Sequence, residues 1–460
     1  MWKAVWLAAL CGVALAAAPR PLMVKAWRKT GKPREYPTRI LSHLSDFTPP
    51  REIPLDRFGG WKVRRFKPTG FFYAKKVDGR WWLVDPEGYP FLHIAVNSVR
   101  HGASPKNRRA FPKKFGSLEN WREATLQLLR SHGFNGTGCW SEDGVLRRSP
   151  RPLAYTPQWN FMSSYGRKRG GTYQLPGHTG YPNGCIFVFD PEFEKFADEH
   201  ARKLEATSDD PWLLGHFSDN ELPFPRDSLD RYLRLPPTDP GHKEAVRWLR
   251  QRKGAKRATI TDEDREAWRG HVAETYFRIV SRAIKRHDPN HLYLGSRFHG
   301  SEKRSQAVFE AAGKHLDVVS INLYGVWTPT PAMLRRWEQW SGRPLLITEW
   351  YAKGADSGLP NLTGAGWTVP TQRDRGFFYQ NFVLGLIESR VCVGWHWFKY
   401  MDNDPEDTRA DPSNRDSNKG IVTPSYEPWQ PLLDAMREIN SVTYPLTTYF
   451  DARRGGVDSP

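Results

Sequence analysis

Two stretches decide the fold: WLLGHFSDNEL, residues 212–222, and PLLITEW, residues 344–350. In the first, Trp212, Leu213 and Leu214 run into Asn220 and Glu221; in the second, Leu345, Leu346 and Ile347 run into Glu349. A short apolar run ending in polar groups reads as one strand of a parallel barrel, with apolar residues filling the core and the carboxyl end opening onto the functional face. The interval between the two glutamates leaves room for three strand–helix units.

Working outward, apolar runs and helical patterns alternate. FLHIAVNSV (Phe91–Val99) reads as a first strand, with a helix over Leu118–His132; FNGTGCW (Phe134–Trp140) and LAYTPQWNF (Leu153–Phe161) supply the second and third strands. Asp190 with Pro191 after it is an N-cap followed by proline at the first helical position, which predicts a helix over Asp190–Thr207. Beyond strand four at Trp212, helices over Glu263–His287, Ser305–Lys314, Pro331–Trp340 and Thr371–Ser389 separate strands at His291–Gly300, Asp317–Gly325, Leu345–Glu349 and Val391–Tyr400. The expected fold is α/β, a (β/α)8 TIM barrel. An N-terminal β-hairpin extension precedes it, marked by the Asp78-Gly79 turn signal.

The expected organisation is a signal peptide at 1–18, an extended basic, proline-rich arm at 19–50, a β-hairpin segment at 51–88, a catalytic barrel at 89–445 and a tail at 446–460. The leader reading rests on Lys3, a short apolar run and Ala16-Ala17-Ala18 before Pro19, so the expected location is secreted or periplasmic, with no membrane attachment after its removal. Outside the leader, which holds Cys11, stand Cys139, Cys185 and Cys392, a set with neither a disulfide framework nor metal-ligand spacing. No metal and no cofactor are expected.

A net charge of +18 and a pI of about 9.7 in an exported protein point to an anionic partner. Basic residues crowd three loops: Arg100, His101, Lys106, Arg108, Arg109, Lys113 and Lys114; Arg147, Arg148 and Arg151; Arg167, Lys168 and Arg169. On the active face they would form a cationic rim for sulfate or carboxylate groups. Nucleic acid is not expected as a partner, because no recognition module accompanies the charge. The loop carrying Asp402, Asp404, Glu406, Asp407, Asp411 and Asp416 lacks the calcium-loop spacing and reads as solvated or paired with Lys and Arg.

Two carboxyl groups on one barrel face suit glycoside hydrolysis, one as acid and the other as nucleophile. Glu221 is assigned as acid/base and Glu349 as nucleophile. The expected substrate-binding residues are Asn97, Trp140, Asn220, Arg297, His299, Asn322, Tyr324, Trp350, Trp395 and Trp397, with Tyr324 donating to Glu349. Parity places Trp395 and Trp397 on one strand face, so both line the interior or neither does.

An Asn-Glu pair ending strand four and a Glu ending strand seven resemble the clan A glycoside hydrolases. More narrowly, KVDGRWWLVDPEGYPFLHIAVNSV, FDPEFE, GHFSDNEL, LITEW, GWHWFKY and NKGIV resemble segments of the β-agarases of glycoside hydrolase family 50. The resemblance implies retaining hydrolysis of a β-linked galactan, with Glu221 and Glu349 at the catalytic positions. The residues also admit a hydrolase of another β-polysaccharide, a mannan, glucan or uronic-acid polymer, and a carbohydrate-binding barrel without turnover.

Overall fold

The computed structural model describes residues 22–29, 31–254, 259–411 and 415–453. The expected leader lies outside them. Residues 22–29 and 31–38, expected to be part of an extended arm, instead carry the paired strands β1 (Leu22–Ala26) and β2 (Arg34–Thr38), antiparallel from Leu22↔Thr38 to Ala26↔Arg34. The reason is alternation that the polar composition hides: Val24 and Ala26 point inward, and Tyr36 packs against Trp327 and Trp367.

Next, β3 (Tyr73–Val77) and β4 (Arg80–Val84) pair antiparallel, and β5 (Pro90–Phe91) joins them. Asp78 and Gly79 form the two-residue turn with φ of 52° and 75°, the left-handed pair that matches strand twist. Then come β6 (His93–Val96), α1 (Pro105–Lys114), α2 (Leu118–Ser131), β7 (Gly136–Thr137), α3 (Asp143–Leu146), β8 (Ala154–Tyr155) and α4 (Phe161–Arg169). A small hairpin of β9 (Tyr173–Leu175) and β10 (His178–Gly180) precedes α5 (Pro191–Ala201), capped by Asp190 accepting from Glu192 N as the Asp-Pro signal predicts. The middle of the chain contributes β11 (Gly215–Phe217), α6 (Ser228–Leu233), α7 (Pro240–Lys253), α8 (Asp262–His287), β12 (Leu292–Gly295), α9 (Gln306–His315), β13 (Val319–Asn322) and α10 (Pro331–Ser341). The last third holds β14 (Leu345–Glu349), β15 (Ala352–Gly354), β16 (Trp367–Val369), α11 (Gln372–Glu388), β17 (Cys392–Trp397), α12 (Gln430–Asn440) and α13 (Thr443–Ala452).

Six strands make one parallel sheet in the order β13-β14-β17-β6-β7-β8, and β11 pairs parallel with β12. Parallel bridges Tyr155↔Leu213 and Gln158↔Phe217 link the β8 stretch to the β11 stretch, and Phe298↔Ile321 links the segment after β12 to β13. Register slips at Ile321/Asn322 bring Asn322 opposite Glu349 at the strands' carboxyl ends. Such irregularities re-aim side chains beside functional clefts. The expected tail from 446 starts inside α13, where Leu446 is buried and Asp451 pairs with the buried Arg80 at 2.6 Å.

One contact near the hairpin has a measurable cost. Asp85 Oδ1 accepts from Glu87 N and Tyr89 N, and Asp56 Oδ1 accepts from Phe58 N and Gly60 N. The two Oδ2 atoms are buried with no other donor, so the carboxyl groups hydrogen-bond each other through one shared proton that Asp85 keeps; burial pushes Asp85 up to about 7. A raised folded value means stability is fully present below the ordinary 3.8 and is lost as pH rises through about 7. In Asp85→Asn, Oδ1 keeps both backbone donors while Nδ2 donates to Asp56. Thermal melts should place this variant above the wild type at pH 8, with the gap closing at pH 5; a variant lower at both pH values contradicts the shared-proton reading.

Candidate active site

Glu221 and Glu349 belong to one hydrogen-bonded cluster at the carboxyl ends of the strands. Glu349 is 5% exposed; its Oε1 lies 2.8 Å from Arg297 Nη2 and its Oε2 accepts from Tyr324 OH at 2.7 Å. Glu221 Oε1 accepts from Asn322 Nδ2 at 2.8 Å. Asn220 Oδ1 ties the two halves together, accepting from Arg297 Nη1 at 3.0 Å and Asn322 Nδ2 at 3.3 Å. That leaves the Asn220 amide NH2 free of protein acceptors among the described residues.

Burial, and then the charge of Glu349, push the Glu221 carboxyl up to about 8. Asn322 and Arg297 oppose the shift without cancelling it. His299 Nδ1 stands 3.4 Å from Glu221 Oε1, and burial holds this ring down at about 4. Glu221, Arg297 and Trp140 all have positive φ (54°, 55° and 61°), a backbone region unfavourable for such side chains. They lie two to four residues beyond the strand ends at Phe217, Gly295 and Thr137.

Of the residues expected to bind substrate, Asn220, His299, Tyr324 and Trp140 stand half-buried around the carboxyl groups, Trp140 with its ring 4.4 Å from the Arg297 guanidinium carbon. Asn97, Arg297 and Asn322 are fully buried and act on protein groups: Asn97 Nδ2 donates to Thr348 O, and Thr348 Oγ1 donates to Asn322. Trp350, Trp395 and Trp397 are corrections. Trp350 stacks on Phe382 of α11 at 4.0 Å, Trp395 Nε1 donates to Tyr379 OH, and Trp397 Nε1 donates to Lys419 O. They fill the layer between sheet and α11, because parity fixes which residues share a face and not which face turns inward. His396, of opposite parity, points to His93, 2.9 Å away.

The cationic rim also needs correction. Arg109 pairs with Glu406, Lys114 with Glu427, Lys106 with Asp404, and Arg169 with Asp190 and Asp239, so much of that charge is neutralised locally, including by the acidic loop. Arg147 pairs with Asp210, and Arg151 lines a groove of about 1050 Å³ together with Asn135 and Trp212, residues preceding β7 and β11. The four-residue α3 turns the chain back quickly, carrying these arginines to the strands' amino ends. Other polar and basic groups near the carboxyl pair come from elsewhere. His178, on β10, lies 3.9 Å from Glu221 Oε2, and Lys303 and Arg28 act electrostatically on His299. His178 and Arg28 come from hairpin segments outside the strand–helix alternation, so no strand-end pattern marks them.

Among the described residues, His216, Asp288 and His291 form the one buried cluster with ligand-like spacing. Its atoms are committed: both rings hold Asp288 Oδ2 at 2.7 Å, Trp159 Nε1 donates to His216, and His291 Nε2 reaches Asp210 O. This fastens the end of α8 to the strands.

No family profile matches the chain. β-Agarase B of Vibrio sp. (strain JT0107) is 24% identical over 85% of this chain and 50% of its own length; β-agarase A of the same strain is 23% identical over 82% and 46%. The chain thus spans about half the length of these curated relatives. Among solved structures, an exo-β-agarase superposes with a TM-score of 0.71 at 22% identity, covering 85% of this chain and 68% of that one. The crystal structure of BpGH50 superposes with a TM-score of 0.83 at 32% identity, covering 94% of this chain and 96% of that one. With a relative at that identity covered almost end to end, the chain belongs to the β-agarase-like glycoside hydrolase family 50.

Proposed function

We propose that this protein is a retaining glycoside hydrolase of a β-linked galactan, with Glu221 as acid/base and Glu349 as nucleophile. The observation that carries the reading is the unequal environment of the two carboxyl groups. Glu349 sits between a guanidinium and a phenol OH, whereas Glu221 has no cation in hydrogen-bonding contact and keeps its proton up to about 8. Eight parallel strands, joined by the six-stranded sheet, the ribbon and the bridges, support a (β/α)8 barrel carrying both groups on its carboxyl-end face.

In this mechanism Glu221 gives its proton to the glycosidic oxygen while Glu349 attacks the anomeric carbon. The aglycone leaves as an alcohol and a glycosyl ester forms on Glu349. Glu221, now ionised, takes a proton from water, which displaces Glu349 and restores both groups. Tyr324 and Arg297 hold the nucleophile's two oxygens, and the Asn220 amide is placed to donate to a sugar hydroxyl. A sulfated or otherwise acidic galactan is the finer reading, supported by Arg28 and Lys303 near the carboxyl pair. Export through residues 1–18 supplies the access to a polymer; no helix among the described residues is long and apolar enough to cross a membrane.

The reading fixes a pH profile. The acid must be protonated, so kcat/KM should hold below and fall as pH rises through about 8. Initial rates on a panel of neutral and sulfated galactans, with products mapped by size, test substrate and profile together. A profile flat to pH 10, or hydrolysis of mannan or glucan in place of every galactan, overturns the assignment.

A further inference from the structure

The hairpin of β9 and β10 approaches the carboxyl pair on the Glu221 side. Pro176 and Gly177 (φ 85°) make its turn, and Gly177 N donates to Asp411 Oδ2 at 3.0 Å, which fastens the tip. His178, directly after the turn, puts Nδ1 3.9 Å from Glu221 Oε2, and these side chains are 34% and 12% exposed, so both are accessible. Glu221 Oε1 accepts from Asn322, whereas among the described residues neither Glu221 Oε2 nor the His178 ring has a hydrogen-bond partner. The proton of the acid therefore sits on Oε2, the oxygen that faces His178. A separation of 3.9 Å is too long for a hydrogen bond and leaves room for an oxygen that both groups reach. The two oxygens of Glu349 are held by Arg297 and Tyr324, not by the hairpin.

Antiparallel partners, and residues two apart along a strand, share one sheet face. Tyr173, Leu175 and Gly180 thus lie on the same face as His178. The Tyr173 ring lies across Gly180, where an added Cβ would meet three of its ring atoms within 2.8 Å, yet Tyr173 is 52% exposed. A ring held in place and left open to solvent suits the apolar face of a sugar. Because Glu221 delivers its proton to the glycosidic oxygen, the sugar beside Oε2 is the one that leaves.

We propose that this face of the β9–β10 hairpin is the leaving-group subsite: His178 hydrogen-bonds a hydroxyl of the departing sugar, and Tyr173 stacks on the ring that follows. This rests on the hydrolase reading above and names one side of that same site. A neutral imidazole carries an N–H and a lone pair, so His178 can give or take that bond.

The test fills the opposite side of the site first. A 2-deoxy-2-fluoro-β-galactoside leaves its sugar as an ester on Glu349, and an added saccharide speeds release by attacking the anomeric carbon with a hydroxyl. The new glycosidic bond forms as the ester bond breaks, and Glu221 takes the hydroxyl proton. Release then reports binding on the leaving-group side alone. With a galactan oligosaccharide as acceptor, His178→Ala and Tyr173→Ala should each raise the concentration for half-maximal release at least fivefold. Tyr173→Phe, which keeps the ring, should restore it. With galactose as acceptor only His178→Ala should respond, because a single sugar stops short of Tyr173. An unchanged requirement in His178→Ala overturns the hydrogen bond, and one in Tyr173→Ala overturns the stacking platform. Failure of the wild type to form the ester is a different failure, that of the underlying reading. Calorimetric titration of the unlabelled protein with the same oligosaccharide then decides the hairpin: weaker binding by the alanine variants upholds the contact, and affinity equal to the wild type overturns it.

Discussion

Glu349→Ala should lower kcat by about 10⁴-fold or more, a loss of about 5.5 kcal/mol or more of transition-state stabilisation at about 1.4 kcal/mol per factor of ten. The side chain is the attacking group, so no residual contact can stand in for it. Its removal also leaves the fully buried Arg297 without its anionic partner. Breaking one side of a buried pair costs roughly 3–5 kcal/mol, so the melting temperature should fall as well. Lost folding and lost chemistry are separated by adding azide. The small anion enters the space vacated by the carboxylate and attacks from its face, restoring turnover and giving the α-glycosyl azide. Failure of azide to restore turnover in a variant that still binds oligosaccharide contradicts the nucleophile assignment.

The second large effect belongs to Glu221. Glu221→Ala should cost about 10²–10⁴-fold on the polymer, whose leaving group is a poor one that needs a proton, and far less on an aryl galactoside whose leaving group departs unaided. Azide should again restore turnover, but by attacking the glycosyl ester from the opposite face, giving the β-azide. Equal losses on polymer and aryl substrate would remove Glu221 from the acid role. The stability change has the opposite sign to that at Glu349. The folded carboxyl is raised from 4.5 to about 8, so the wild type loses stability as pH rises through about 8, and an uncharged replacement is free of that loss.

Much of this was legible in the chain because two periodic signals agree. Apolar runs ending in Asn, Glu or Tyr mark carboxyl-end groups, and the helix signals between them, such as Asp190-Pro191, place the crossovers. The reading stops where tertiary context chooses between equivalent patterns. For Trp395 and Trp397 the choice was made by α11, whose Tyr379 accepts from one and packs on the other. The β1–β2 hairpin was obscured by basic and proline residues on its exposed edge. Arg151 was misplaced because nothing local shows that α3 spans only Asp143–Leu146 before the chain turns back.

The central claim is that Glu349 becomes covalently joined to the sugar with Glu221 opposite. Incubating the protein with a 2-deoxy-2-fluoro-β-galactoside bearing an activated leaving group slows breakdown of that ester enough to find it by peptide mass mapping. The account predicts one label, on Glu349, together with β-configured first products on the natural polymer. A label on another carboxylate, or no label with α-configured first products, contradicts it.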